Sequence, residues 1–228
     1  MSSNVYFHLH DGRPSPRENG PAGTAGFNRV SSPKLFRSNL SALVVASVTL
    51  ALGGCALPPS LQYEGGRVVY SASQQKKIER ITEKLVALGP KTDPAEARLI
   101  AETAVRTGAE LAKKYGVTMI PEFHNVLINA GIKERGLCWQ WTWDMSSALA
   151  PLKPRTFEYH WCVSEWGLRY EHNTVVVTAV DQPYYDGVTL DPWIDSGRIT
   201  CEKVAGDKLF KWEQRVPPPG SAFAAKTP

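Results

Sequence analysis

Between about residue 73 and residue 150 the apolar positions recur at spacings of three and four. From there to about residue 212 they alternate or gather in short β-branched runs, and this change of period predicts helices first and strands afterwards. Ser73 caps a helix running to about Leu88, with Ile78, Ile81 and Leu85 on one face, and Gly89-Pro90 ends it. Thr92-Asp93-Pro94, a cap followed by proline in the first turn, opens a second helix that reaches Tyr115 before Gly116. Its apolar face, Ala97, Ile100, Ala101, Ala104, Gly108 and Leu111, is small enough for close packing on a neighbour. A shorter third helix spans Pro121 to Ala130 and Gly131 closes it. The fourth begins at Cys138 after Gly136, buries Trp141, Met145, Leu149 and Leu152, and stops at Pro151 and Pro154.

Strands are expected over Thr156 to Val163, Asn173 to Val180, Val188 to Leu190, Arg198 to Val204 and Leu209 to Trp212, the clearest marked by Val175-Val176-Val177. Short turns such as Asp186-Gly187 and Ala205-Gly206-Asp207 separate them. Helices followed by strands joined by short turns describe an α+β fold, N-terminal helices packed on an antiparallel sheet. The Pro217-Pro218-Pro219-Gly220 stretch marks 215–228 as a disordered tail.

The N-terminus changes the picture. Leu40 to Leu52 is a largely apolar run, preceded by Lys34 and Arg37 and followed by Gly53-Gly54-Cys55, the plan of a secretory signal. At about 13 residues it falls well short of the roughly 20 that span a bilayer as a helix; an uncleaved anchor or a buried core helix is the alternative reading. The small residues before Cys55 resemble the lipobox of bacterial lipoproteins. The resemblance implies that 1–54 are removed and that the Cys55 thiol is acylated and becomes the new N-terminus. Residues 55–72 would then serve as lipid anchor and tether and 73–214 as the domain. Ala56, where an aspartate would favour inner-membrane retention, implies an outer-membrane anchor facing the periplasm of a Gram-negative bacterium. The leader is long, and initiation near Val30 on a non-AUG codon would give it ordinary length.

The formal charge of +4 belongs mostly to that leader, which carries five basic and two acidic residues and leaves 21 against 20 for the other 174. A nearly neutral domain without clustered Lys and Arg argues against a nucleic-acid partner. Lys76-Lys77 and Lys113-Lys114 read as solvated helix faces. Cys162 and Cys201 fall in expected strands and, in an oxidising compartment, are either a disulfide or two buried thiols. No Cys-x-x-Cys pair or His at ligand spacing suggests zinc, and no cofactor is called for.

The remaining cysteine carries the candidate chemistry. Cys138 lies in Gly136-Leu137-Cys138-Trp139, at a helix N-terminus whose free N–H groups and dipole favour a thiolate. His172 opens the valine-rich strand 34 residues later, and Asp191 follows after 19 more in Leu190-Asp191-Pro192-Trp193. That order suits a thiol nucleophile, an imidazole base and a carboxylate that orients it. Over roughly Pro121 to Trp212 it resembles the papain-like architecture, especially the bacterial transglutaminase-like cysteine peptidases, and Cys138-Trp139 looks like the Cys-Trp pair around a papain nucleophile. The resemblance implies nucleophile, base and acid, and orienter for Cys138, His172 and Asp191 in turn. It also implies thiolate attack on an amide or peptide bond, with envelope protein or peptidoglycan peptides as substrates.

Papain-like proteases place an oxyanion glutamine a few residues before the cysteine, and none stands here. Asn125 and Asn129, four apart on the preceding helix, are the substitutes, although a water-facing helix side explains them equally. His160 competes with His172, Asp195 is the fallback for Asp191, and His124 reads as a capping or surface residue. All seven tryptophans lie at or after Trp139, as core or as groove lining, and Trp166 to Glu171 is a loop shaping access to the thiol. The competing functional reading is a non-catalytic envelope lipoprotein serving as a binding or assembly module.

Overall fold

The computed structural model describes residues 58–117 and 120–224. The expected signal segment and Cys55 lie outside those residues. Within them the protein is mixed helix and sheet: a small hairpin, four α-helices, then five antiparallel strands.

The hairpin, β1 (Gln62–Glu64) and β2 (Arg67–Val69), turns at Gly65-Gly66 and stands where a plain tether is expected. Helix α1 (Ala72–Val86) is capped by Ser71, two residues before the expected cap. Ser71 Oγ accepts from Gln74 N and Gln74 Oε1 accepts from Ser71 N, a reciprocal pair that Ser73 has no partner to form. Helix α2 (Pro94–Lys114) begins as its sequence implies, with the Asp93 carboxylate accepting from Ala95 N at 2.8 Å. Helix α3 (Pro121–Asn129) and helix α4 (Cys138–Leu149) follow, and a 3-10 turn carries the chain on to Leu152.

Strands β3 (Phe157–Ser164), β4 (His172–Ala179), β5 (Val188–Asp195) and β6 (Arg198–Thr200) form a meander, and β7 (Trp212–Gln214) closes the far edge beside β3. The order is β6-β5-β4-β3-β7. Central β4 is buried at all eight positions because both faces of the sheet are covered. On one face Val175, Val177 and Leu190 meet Ile78, Ile81 and Leu85 of α1, Ile100 and Ala104 of α2, and Met145 and Leu149 of α4. On the other, Cys162 and Val176 pack under Val204 and Trp212. Double coverage explains a continuous valine run in place of the alternation of a half-exposed strand.

The small face of α2 has a specific use. A Cβ on Gly108 would lie 2.4 Å from the Gly197 carbonyl oxygen, and one on Gly197 would lie 2.6 Å from Ala112 Cβ. Only two glycines allow the helix to sit this closely on the β5–β6 turn.

Three expectations are corrected. Cys162 and Cys201 are both free, on β3 and just beyond β6, with two strands between them. At about 4.8 Å per strand that separation is roughly 14 Å, twice the Cα reach of a disulfide. Burial pushes both thiols up to about 12. Lys114 is bonded to Asp144, so it is more than a solvated face. The tail, described through residue 224, is packed: Phe223 is 5 % exposed and stacks on Tyr159 with ring centroids 5.4 Å apart. A chain carrying Phe223→Ala should therefore lose about 3 kcal/mol of stability by urea denaturation; an unchanged midpoint would mean that the tail adds nothing to the core.

Candidate active site

The first turn of α4 is fixed before Cys138 is reached. Gly136 has φ of 131°, and a Cβ there would come within 2.5 Å of the His124 ring, so no side chain is tolerated at that position. His124 is 2 % exposed and its Nε2 is 2.9 Å from the Arg135 carbonyl, a wedge rather than a cap or surface residue. Gln140 Oε1 accepts from Gly136 N at 2.7 Å and Leu137 N at 3.1 Å, and Trp141 Nε1 donates to the Gly136 carbonyl at 2.9 Å. Further along α4, Asp144 accepts from Lys114 Nζ at 2.8 Å, Tyr115 OH at 2.9 Å and Arg135 Nη2 at 3.1 Å. Burial opposes ionisation of Asp144, but these donors outweigh it and hold the carboxyl below its ordinary value. Cys138, half-buried, is thus presented on the first residue of a braced helix, where backbone N–H groups lack intrahelical partners.

His172 opens β4 opposite Ser164, 3 % exposed. Its Nε2 lies 2.5 Å from Asp191 Oδ2, and the Asp191 side chain is 1 % exposed. The other carboxylate oxygen, Oδ1, accepts from Trp193 N at 2.8 Å and Ile194 N at 3.3 Å. Asp191 therefore orients the imidazole and caps a backbone turn at once. Three rings cover the imidazole: Phe210, Trp193 and Trp212, with centroids 4.7, 4.9 and 5.5 Å away. Burial among them disfavours the imidazolium. The charge and hydrogen bond of Asp191, with a smaller contribution from Cys138, overcome that and raise the His172 pKa to about 10.

The sulfur meets this pair at the start of β4. Cys138 Sγ donates to the Glu171 carbonyl at 3.6 Å, and Asn173 Nδ2 stands 3.9 Å from the sulfur. The two neighbours of His172 thus bracket the thiol. Because Nε2 is taken by the carboxylate, Nδ1 is the ring nitrogen left to exchange a proton with sulfur; it is buried and has no hydrogen bond of its own. Cys138 thus lies against the two residues flanking His172, whose ring is paired with Asp191.

The other candidates are elsewhere. His160 Nε2 is 2.9 Å from Thr178 Oγ1, four residues along β3 from Ser164, roughly 13 Å at the usual strand rise; burial lowers its pKa. Asp195 is exposed and paired with Arg198. Asn125 is buried on α3 and Asn129 exposed, and among the described hydrogen bonds neither reaches Cys138. The amide beside the thiol is that of Asn173, which the sequence reading missed; its only signal was a polar residue next to the histidine. Trp141, Trp161 and Trp212 are core, whereas Trp139 and Trp166 are 40 % and 57 % exposed, one beside the thiol and one in the loop before His172. Among the described residues no group of His, Cys, Asp or Glu is placed to hold a metal ion. No family model matches the chain, and no curated protein or solved structure is significantly similar to it.

A raised histidine pKa means that the folded protein holds this proton more tightly than the unfolded chain. The contribution is fully present below the unfolded value of about 6.5 and is lost as pH rises through about 10. Asp191→Asn keeps an oxygen for the two N–H groups but removes the charge, at a cost of about 3 kcal/mol near pH 6. The gap in unfolding free energy between wild type and variant should shrink from pH 6 to pH 10. A constant gap would mean that the pair makes no pH-linked contribution.

Proposed function

We propose that the protein is a thiol hydrolase or acyltransferase acting on amide or peptide bonds in the cell envelope, held there by lipid on Cys55. Its domain would be of the transglutaminase-like, papain-like kind. The observation that carries this reading is a half-buried thiol at a helix N-terminus, bracketed by the neighbours of a histidine whose far nitrogen is fixed by a buried carboxylate. The chain order of cysteine on a helix, histidine at a strand start and aspartate on the next strand supports the same family. The envelope location rests on the apolar run and small residues before Cys55.

In this reading the thiol proton passes to His172 Nδ1, leaving a thiolate beside an imidazolium that Asp191 stabilises. Sulfur attacks the carbonyl carbon, and the carbonyl π electrons move onto oxygen. The intermediate collapses with cleavage of the C–N bond, and Nδ1–H protonates the departing amine. A thioester remains on Cys138. Water or a second amine then attacks it, giving its proton to His172 while the thiolate leaves. Water yields hydrolysis and an amine yields acyl transfer; the envelope supplies both kinds of acceptor, and peptide crosslinks are the substrates this chemistry fits.

The test is the rate of iodoacetamide alkylation of Cys138 between pH 5 and pH 9, with the buried Cys162 and Cys201 as slow internal references. At pH 6 the wild type should react at least about tenfold faster than His172→Ala, since the histidine sets the fraction of reactive thiolate. Equal rates would reduce the triad to a coincidence of packing.

A further inference from the structure

The thiol has one side-chain hydrogen-bond donor whose orientation is not free. Asn173 is 4 % exposed, and its Oδ1 accepts from Trp161 Nε1 at 2.9 Å. An indole nitrogen only donates, so the amide cannot be reversed, and its NH2 end must face the other way. One N–H of that end goes to Glu171 Oε1 at 3.0 Å. The other is directed at Cys138 Sγ, 3.9 Å away. Glu171 is itself anchored through Oε2, which accepts from Gly167 N at 2.9 Å. The amide is therefore clamped on both sides, with its second N–H over the reacting atom.

At 3.9 Å the bond to the resting thiol is long and weak, so most of this donor's capacity is still unused. When an acyl carbon bonds to Sγ, the developing oxyanion lies one atom further out, within reach of such a group. Fixed donors aimed at that position, rather than at the ground state, supply the larger share of stabilisation in acyl transfer. We propose that Asn173 Nδ2–H donates to this oxyanion together with the Cys138 backbone N–H. The assignment rests on the thiol-transfer reading above and names a side-chain donor that stands beside the sulfur.

Two reagents separate this role from a simple effect on the thiol. Iodoacetamide alkylates sulfur at a tetrahedral carbon and develops no oxyanion, whereas p-nitrophenyl acetate acylates it through one. In the lipid-anchored chain, Asn173→Leu should slow acylation of Cys138 by roughly 10²-fold and leave the alkylation rate within about twofold. Because that variant leaves the Trp161 indole N–H buried without an acceptor, the paired variant Trp161→Phe with Asn173→Leu removes both partners and guards against misfolding. It should show the same selective loss. Equal slowing of both reactions would make Asn173 a determinant of the thiol alone and overturn the proposal, as would no slowing of either. If wild type and Cys138→Ala consume the ester at the same rate, the thiol-transfer reading itself fails and the proposal falls with it.

Discussion

A carboxylate and an imidazole 2.5 Å apart, both almost wholly removed from water, are the constraint around which the sheet is arranged. Desolvating two ionisable groups is costly, and their attraction repays it only when the remaining lone pairs are satisfied. Asp191 meets that condition because the N–H groups of Trp193 and Ile194 both donate to Oδ1. The same stretch carries a register shift between β5 and β6, from Asp191 to Asp195. That irregular corner is in turn held by the contact of Gly197 with Gly108 of α2. On the histidine side Phe210 and Trp212 arrive from beyond β6 to cover the ring. Stretches far apart in sequence thus serve one dry ion pair.

Cys138 is placed by different means. Its helix is braced through Asp144 to the end of α2 and through Gly136 to His124 of α3, without using the histidine or the aspartate. The two assemblies meet at residues 171–173, where the Glu171 carbonyl and the Asn173 amide touch the sulfur, and again where Trp193 packs against the cluster that holds Trp141 of α4.

How much of this the sequence carries depends on the range of each interaction. The helices, the central strand and the cysteine, histidine and aspartate that converge could be read because their signals are local: apolar period, a Pro after a cap, a Gly before a helix. The fourth-helix stripe of Trp141, Met145 and Leu149 is buried as its spacing implies. The Ser71 cap was misplaced by two residues because Ser73 satisfies the same composition rule and only the reciprocal bond with Gln74 separates them. The Gly65-Gly66 hairpin was hidden by the expectation of a tether, although the turn signal was present. Cys162 and Cys201 were a candidate pair only while strand order was unknown. Asn173 lay beyond reach altogether, since its orientation depends on an indole across the β3–β4 ladder.

The direction in which Asp191 approaches the ring also decides how the site would start a reaction. With the carboxylate on Nε2, that nitrogen carries a proton in either charge state, and Nδ1 alone changes between bare and protonated. The raised pKa means that Nδ1 holds a proton more tightly than a free imidazole does. In the proposed reaction the proton taken from sulfur is therefore held on Nδ1 until the leaving amine accepts it, and the ring acts as a base again in the second half of the cycle. Water bound to the ring would compete for the same site, and the cover of Trp193, Phe210 and Trp212 keeps it away. The aromatic lid therefore has a chemical consequence besides packing: it leaves the half-buried sulfur as the natural partner of Nδ1.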